Sequence, residues 1–339
     1  MKLKNIIFAI LLLTIPYSLA TSHSFAQQVS LSISPPLLEV FIKPGKSIMV
    51  AYSLENSGDP TIIEAEVVSF EPKDNLGQIS LKSTLEGPVR FYLDNADLQL
   101  NQSFFLKTGE KQQLLLRIRV PDGAPEGDYY YSLLAKTVPP PTLEGVASSR
   151  AKATIASNIL ITVTESGIVE VKPKIAIFEI LSRFKLNLFG KVVKIFDSFD
   201  KVPLMLIVEN KGNNLIKPEG KISLRGNFGE TSTHEIIPKN ILAQSQRLIE
   251  ARLPSPAGEA NGGQATPSAS INDGNSSLIF NGFFVGLYNL STNITFGENS
   301  PTIFASSSFF AFPFKLLFGF IIVVTLTIYV IKKFSRNDD

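Results

Sequence analysis

The chain has 339 residues, enough for two domains of ordinary size. Its 32 basic and 30 acidic side chains leave no basic excess of the kind a nucleic-acid binder shows. It has no cysteine, which excludes disulfides, a thiol nucleophile, a lipoprotein-type cysteine and every cysteine-based metal site.

In chain order, Met1-Lys2-Leu3-Lys4 is a short basic start, Ile6–Ile15 is apolar, and Ser24-Phe25-Ala26 fits a small-residue cleavage site before Gln27. Residues 1–26 are therefore expected to be a secretory signal peptide, because the apolar run is too short to cross a bilayer comfortably. Cleavage removes Lys2, Lys4 and His23. Of the two histidines only His234 then remains, so a Ser-His-Asp triad or a multi-histidine metal site is not expected. His234 lies in the polar run Glu230–His234 and reads as a solvated loop or strand residue.

From Val29 the pattern is that of short strands. Ile48, Val50, Tyr52 and Leu54 alternate with Met49, Ala51 and Ser53, the period-2 signal of a strand with one buried face. Glu55-Asn56-Ser57-Gly58-Asp59-Pro60 ends it as a turn. Further strands are expected over Thr61–Phe70, Val89–Leu93, Ser103–Leu106, Gln112–Val120, Tyr129–Lys136 and Ala151–Thr164. Strands at this spacing, with turn signals between them, predict an all-β sandwich over residues 27–165.

The second half repeats the first. Val202, Leu204, Leu206 and Val208 run into Glu209-Asn210-Lys211-Gly212-Asn213, as Ile48–Leu54 runs into Glu55–Asp59. Gln246–Pro254 echoes Gln113–Pro121, and a strand over Phe283–Phe296 matches Tyr129–Lys136. A second sandwich is expected over residues 166–300. Within it, residues 255–277 are almost all small or polar and predict a flexible insertion. Phe178–Lys201 reads as either a strand pair or a short helix.

Residues 301–308 read as a stalk and 309–331 as a transmembrane helix, because about 20 apolar residues match a ~30 Å hydrocarbon core. Lys315, the one charge in the span, sits near the end where it can snorkel. The basic tail Lys332, Lys333 and Arg336 puts residues 332–339 in the cytoplasm and the sandwiches outside. No LPxTG-type signal lies in Ser300–Phe312, so the helix itself is the expected anchor.

Few residues suggest chemistry. Asp94-Asn95-Ala96-Asp97 lacks the ligand alternation of a calcium loop and reads as a turn. Tyr129-Tyr130-Tyr131 is a possible carbohydrate platform, but on a strand Tyr129 and Tyr131 face the core and Tyr130 faces out. Asn101, Asn275, Asn289 and Asn293 sit in glycosylation-type triplets, a short pattern that matters only in a host that glycosylates.

Three passages carry a family resemblance: Lys43-Pro44-Gly45 with the strand ending in Glu55–Gly58; Arg119-Val120-Pro121 with Gly127-Asp128-Tyr129; and Asn210–Asn213 with Pro218–Ile222 and Phe228-Gly229. With the overall layout, they resemble the WxL-interacting surface proteins of Gram-positive bacteria, which have tandem Ig-like domains and a C-terminal anchor. That resemblance implies a peptidoglycan-binding first domain and a second domain that engages surface partners, with no ligand contact transferable to a position here. The first domain also resembles the N-terminal domain of pilus chaperones. The sequence reading is thus a non-enzymatic, cofactor-free, single-pass cell-surface protein with two Ig-like β-sandwiches, binding cell-wall glycan or surface proteins. The alternative is a scaffold or chaperone-like subunit that accepts a partner strand at a sheet edge. A carboxylate-based hydrolase ranks third, since no two acids can be placed across a cleft from sequence.

Overall fold

The computed structural model describes residues 28–138, 152–188, 191–254, 276–297 and 300–335. The expected signal peptide, the insertion up to residue 275 with its triplet asparagine, and the chain from residue 336 on lie outside the described residues. The remainder is all-β with one apolar C-terminal helix. It forms two compact units. The first comprises residues up to Ser69, Lys82–Pro125 and Tyr129–Val163; the second takes Phe70–Leu81, Glu126–Asp128 and the chain from Thr164 on.

The first ten strands are β1 (Leu31–Ser34), β2 (Leu37–Ile42), β3 (Ser47–Asn56), β4 (Thr61–Pro72), β5 (Ile79–Leu81), β6 (Arg90–Leu93), β7 (Ser103–Leu106), β8 (Lys111–Arg119), β9 (Gly127–Val138) and β10 (Thr154–Val163). One sheet has the order β1-β3-β8-β6. The other has β2-β10-β9-β4-β5, with β7 also on β4. Between β1 and β2 stand Pro35 and Pro36, which have no N–H to give a ladder. There the chain leaves the first sheet, where β1 is antiparallel to β3, and joins the second, where β2 runs parallel to β10. The alternation read in β3 is the observed register. Tyr52 and Leu54 are fully buried and Ser53 is exposed, and β8 sets Leu114, Leu116 and Ile118 on the same inner face. They pack on Leu133, Ile159, Ile161 and Val163 from the second sheet. Each such side chain is worth roughly 1.5–3 kcal/mol over leaving it in water.

In the second unit the strands are β11 (Pro173–Ile180), β12 (Phe184–Leu188), β13 (Lys191–Asp197), β14 (Val202–Asn210), β15 (Glu219–Gly226), β16 (Thr231–Ile236), β17 (Gln246–Leu248), β18 (Ala251–Arg252), β19 (Leu278–Phe280), β20 (Gly286–Thr295) and β21 (Ile303–Phe312). The helix α1 (Phe314–Ser335) follows. One sheet joins β11-β14-β17, with β19 also on β14; the other is β12-β13-β21-β20-β15-β16-β18. The core holds Leu204, Leu206 and Val208 of β14 against Ile222, Leu290, Ile294 and Phe309 of the larger sheet.

One open reading is resolved as a strand pair, and four expectations change. The ambiguous stretch Phe178–Lys201 is the end of β11 followed by a β12–β13 hairpin. From Ile303 on, the stalk expected over 301–308 is β21, paired with β20 from Ile303 to Ala311. The helix expected from residue 309 starts at Phe314 instead, because Phe309 and Ala311 alternate into the sandwich core and Pro313 separates strand from helix. The insertion ends sooner than residue 277, since Ser276 and Ser277 are buried. The echo of β8 is also broken in two. β17 pairs with β14, β18 pairs with β16, and β19 takes up the other half of β14.

Candidate functional site

The candidate site lies where β21 turns into α1. Pro313 fits the boundary because a helix needs no N–H at its first positions and its fixed φ suits the first turn. The orphan N–H of Lys315 donates to Oδ2 of Asp197 at 2.9 Å, and Leu317 N–H donates to the Pro313 carbonyl at 3.0 Å. Asp197 is fully buried, at the end of β13 and far away in sequence. Its other oxygen accepts from Phe199 N–H at 3.2 Å, so the tight turn Asp197–Asp200 fixes the carboxylate. A carboxylate beside a helix N-terminus also meets the positive end of the macrodipole. Asp200 of the same turn forms an ion pair with the Lys315 ammonium. The helix is thus tied to the sandwich by a cap, a salt bridge and a single proline.

A cleft of about 580 Å³ opens at this junction. Leu181, Phe184, Ile195 and Ile279 make its apolar wall, and Arg183, Lys201 and Lys315 bring cations to it. The Phe184 ring meets Phe314 edge-on, with centroids 6.4 Å apart. Beside the cleft, Glu179 accepts from Lys185 at 3.1 Å and pairs with Lys194 at 3.5 Å. The Lys185 hydrogen bond holds the Glu179 carboxyl below its usual range, while burial pushes Lys194 down. Exposed phenylalanines gather at the same end: Phe199 and Phe283, with centroids 4.9 Å apart, and Phe310 and Phe312 at the C-terminal end of β21.

The structure does not bring together the residues singled out in the sequence. Asp94 is gripped by Arg117, whose hydrogen bonds hold the carboxyl below its ordinary range. Asn95 Nδ2 donates to the Gln113 carbonyl and its Oδ1 accepts from Leu115 N–H, both at 2.8 Å. Both side chains are therefore spent on lacing this turn to β8. Among the described residues no three His, Cys, Asp or Glu side chains converge as a metal site. Tyr131 is buried and donates to the Glu86 carbonyl at 3.0 Å, Tyr129 packs on the same core, and Tyr130 is half-buried. Asn101, Asn289 and Asn293 are exposed. His234 is not a solvated residue. It points inward from β16, is buried, and sets its ring edge-on to Phe280 with centroids 5.1 Å apart. Loss of water there lowers its pKa.

Sheet edges are the other candidate surface. Among the described residues they are short (β1 and β6, four residues each), bulged (β11, between Ile175 and Ile177) or charged (β2 with Glu39, β12 with Lys185). Such edges discourage indiscriminate pairing. One gap remains: β2 covers β10 only from Asn158 on, and Ser157 is buried with its hydroxyl on the Pro35 carbonyl, so Thr154–Ala156 extend beyond β2 with no described strand along that edge. Sequence reasoning missed the α1 root altogether. Its parts, Asp197, Arg183 and Phe314, are distant in the chain and carry no local pattern.

No protein-family model matches the chain, and no curated protein does. Among solved structures it is similar to the class 5 fimbriae chaperone CfaA, at 12% identity over 82% of this chain and 99% of that one, with a TM-score of 0.38. It is similar to the YadV chaperone at 11% identity over 82% and 98%, TM-score 0.33, and to the E. coli chaperone DraB at 13% over 83% and 96%, TM-score 0.33. At such identities the likeness is one of fold. The three structures named are chaperones, and none of the three is a WxL-interacting surface protein.

Proposed function

We propose that the chain is a single-pass, membrane-anchored protein that displays its two sandwiches outside the membrane, binds partners through them and performs no chemistry. The observation that carries the reading is α1. Phe314–Lys332 is 19 residues, or about 28 Å of helix, close to the hydrocarbon thickness. None of its most apolar window is buried in the molecule. An apolar surface of that extent needs a cover, and a bilayer supplies one of matching length. The basic residues after it support a cytoplasmic tail. Wall glycan and other surface proteins are the partners such a position offers. A second reading, that a partner adds an extended segment to the sheet, is favoured by the uncovered edge at Thr154–Ala156.

Membranes holding the full chain, washed in alkaline carbonate, test the anchor. The full chain is expected to stay in the pellet, and a chain ending at Phe312, which keeps β21 whole, is expected in the supernatant. Release of the full chain overturns the anchor. For binding, the released form is mixed with purified wall glycan and with candidate surface proteins. Failure to bind any of them removes the recognition role. Partner-induced slowing of amide exchange at Thr154–Ala156 selects the strand-addition mode over loop recognition.

A further inference from the structure

We infer that the cleft at the root of α1 is a binding site for an anionic phospholipid, with the phosphodiester on Arg183 and Lys201 and an acyl chain along Phe184 and Phe314; the inference rests on the anchoring reading above. The first argument is position. Phe314 and Lys315 are the first two residues of the helix and line the cleft. If α1 crosses the bilayer, the cleft opens at the level of the headgroups.

Charge is the second argument. Asp200 is the one acid at the cleft, and its carboxylate is taken by Lys315. Lys185 and Lys194 close by are held by Glu179. Among the described residues no ion pair engages Arg183 or Lys201, so the cleft keeps two uncompensated cations. A guanidinium fork and an ammonium suit phosphate oxygens in geometry and charge.

Shape is the third. The cleft's volume of about 580 Å³ falls within the few-hundred-Å³ range of sites that enclose a small molecule. Ile195 and the Phe184–Phe314 pair give it an apolar wall that continues onto the helix surface. A free phosphate would use the cations and leave that wall wet. A lipid uses both, and its chain follows the wall into the bilayer.

The experiment uses the full chain in phosphatidylcholine nanodiscs with and without phosphatidylglycerol, then gently extracted and weighed by native mass spectrometry. Bound phosphatidylglycerol is expected to exceed phosphatidylcholine by roughly tenfold at equal lipid, as one good charge-assisted contact implies. In the double variant Arg183→Gln, Lys201→Gln the preference is expected to vanish. Lys43→Gln with Lys46→Gln, exposed lysines of the first unit, is expected to keep it. Equal retention of the two lipids by the unaltered chain, or an unchanged preference in the Arg183/Lys201 variant, overturns the site. So does release of the lipid by millimolar inorganic phosphate, which would make the cleft a simple anion site. Carbonate washing of the same preparations separates the two failures. A chain that washes off overturns the anchor and the lipid site with it, whereas an integrated chain with no headgroup preference overturns the lipid site alone.

Discussion

Asn56 and Asn210 each end a long core strand, and each is almost wholly buried. The Asn56 amide donates to the carbonyls of Asp59, Leu106 and Lys107, and its oxygen accepts from Gly58 N–H at 3.0 Å. Asn210 repeats this on Asn214, Ile241 and Leu242, with Gly212 N–H at 2.9 Å. The glycines belong to the device: a Cβ would stand 2.3 Å from the Gln28 carbonyl at Gly58 and 2.6 Å from the Glu170 carbonyl at Gly212. Asn56→Ala and Asn210→Ala strand several buried carbonyls, and each is expected to cost about 1–3 kcal/mol. Denaturant melts that follow each unit separately will show whether one unit alone loses stability. The Glu-Asn-x-Gly repeat was legible in the sequence as two turns. That the asparagine is the clamp was not, because two of its three acceptors lie dozens of residues away. His234 gives a second test. Its folded pKa is below that of the unfolded chain, so the unfolded state binds the proton more readily. Its contribution is complete above about pH 6.5 and is lost as pH falls below that value. Proton NMR of the ring should give a pKa below 6.5, and His234→Phe should flatten the fall in stability between about pH 6.5 and 5. A ring that titrates at or above 6.5 would return His234 to solvent.

At the scale of elements, β14 shows why the two halves match in pattern and differ in construction. Along β3 the neighbour is one continuous strand, β8. Along β14 it is two pieces, β17 and β19, that leave a break opposite Leu206. Ser277 fills the break with its side chain: its hydroxyl accepts from Leu206 N–H at 2.7 Å and donates to the Leu206 carbonyl at 3.2 Å. Ser277→Ala therefore leaves the Leu206 N–H of a central strand without its acceptor, while the Leu206 carbonyl keeps the Ile249 N–H at 2.9 Å, and a loss of about 1–3 kcal/mol is expected. Faster amide exchange at Leu206 in that variant is the direct measure. A silent substitution would mean that the pieces are held by β14 pairing alone. Composition reads a polar insertion over 255–277, but it has no means of telling a serine in a linker from a serine that stands in for backbone. The same limit hid the end of β21. Phe309–Phe320 is nearly all apolar, and an apolar run that continues from strand into helix carries no periodicity to divide it.

At the scale of the whole molecule, the pairing of residues 303–311 into the sheet, in place of the expected stalk, sets what α1 would do as an anchor. With β21 running to Phe312, Pro313 next and the Asp197 cap on the first turn, the second sandwich is joined to α1 without slack. On the anchoring proposal, one end of β20 would lie at the membrane and the other would stand off from it. Leu287 pairs with Phe310 near the helix, and Asn293 pairs with Phe304 at the far end. Both side chains face outward on the same strand. They are six residues apart, about 20 Å at strand rise. Because the chain has no cysteine, Leu287→Cys and Asn293→Cys each take a single fluorescent label without background. In vesicles doped with brominated lipid, the label at position 287 is expected to be quenched strongly and the label at 293 little, since bromine quenches only near contact. A flexible tether between sandwich and helix would let both ends sample the surface and equalise the two signals. Equal quenching would therefore mean that the cap at Asp197 does not hold in the membrane, and replacing it with Asp197→Asn would then leave the pattern unchanged. If the cap does hold, Asp197→Asn removes the carboxylate charge facing the helix terminus, and the difference between the two labels should shrink.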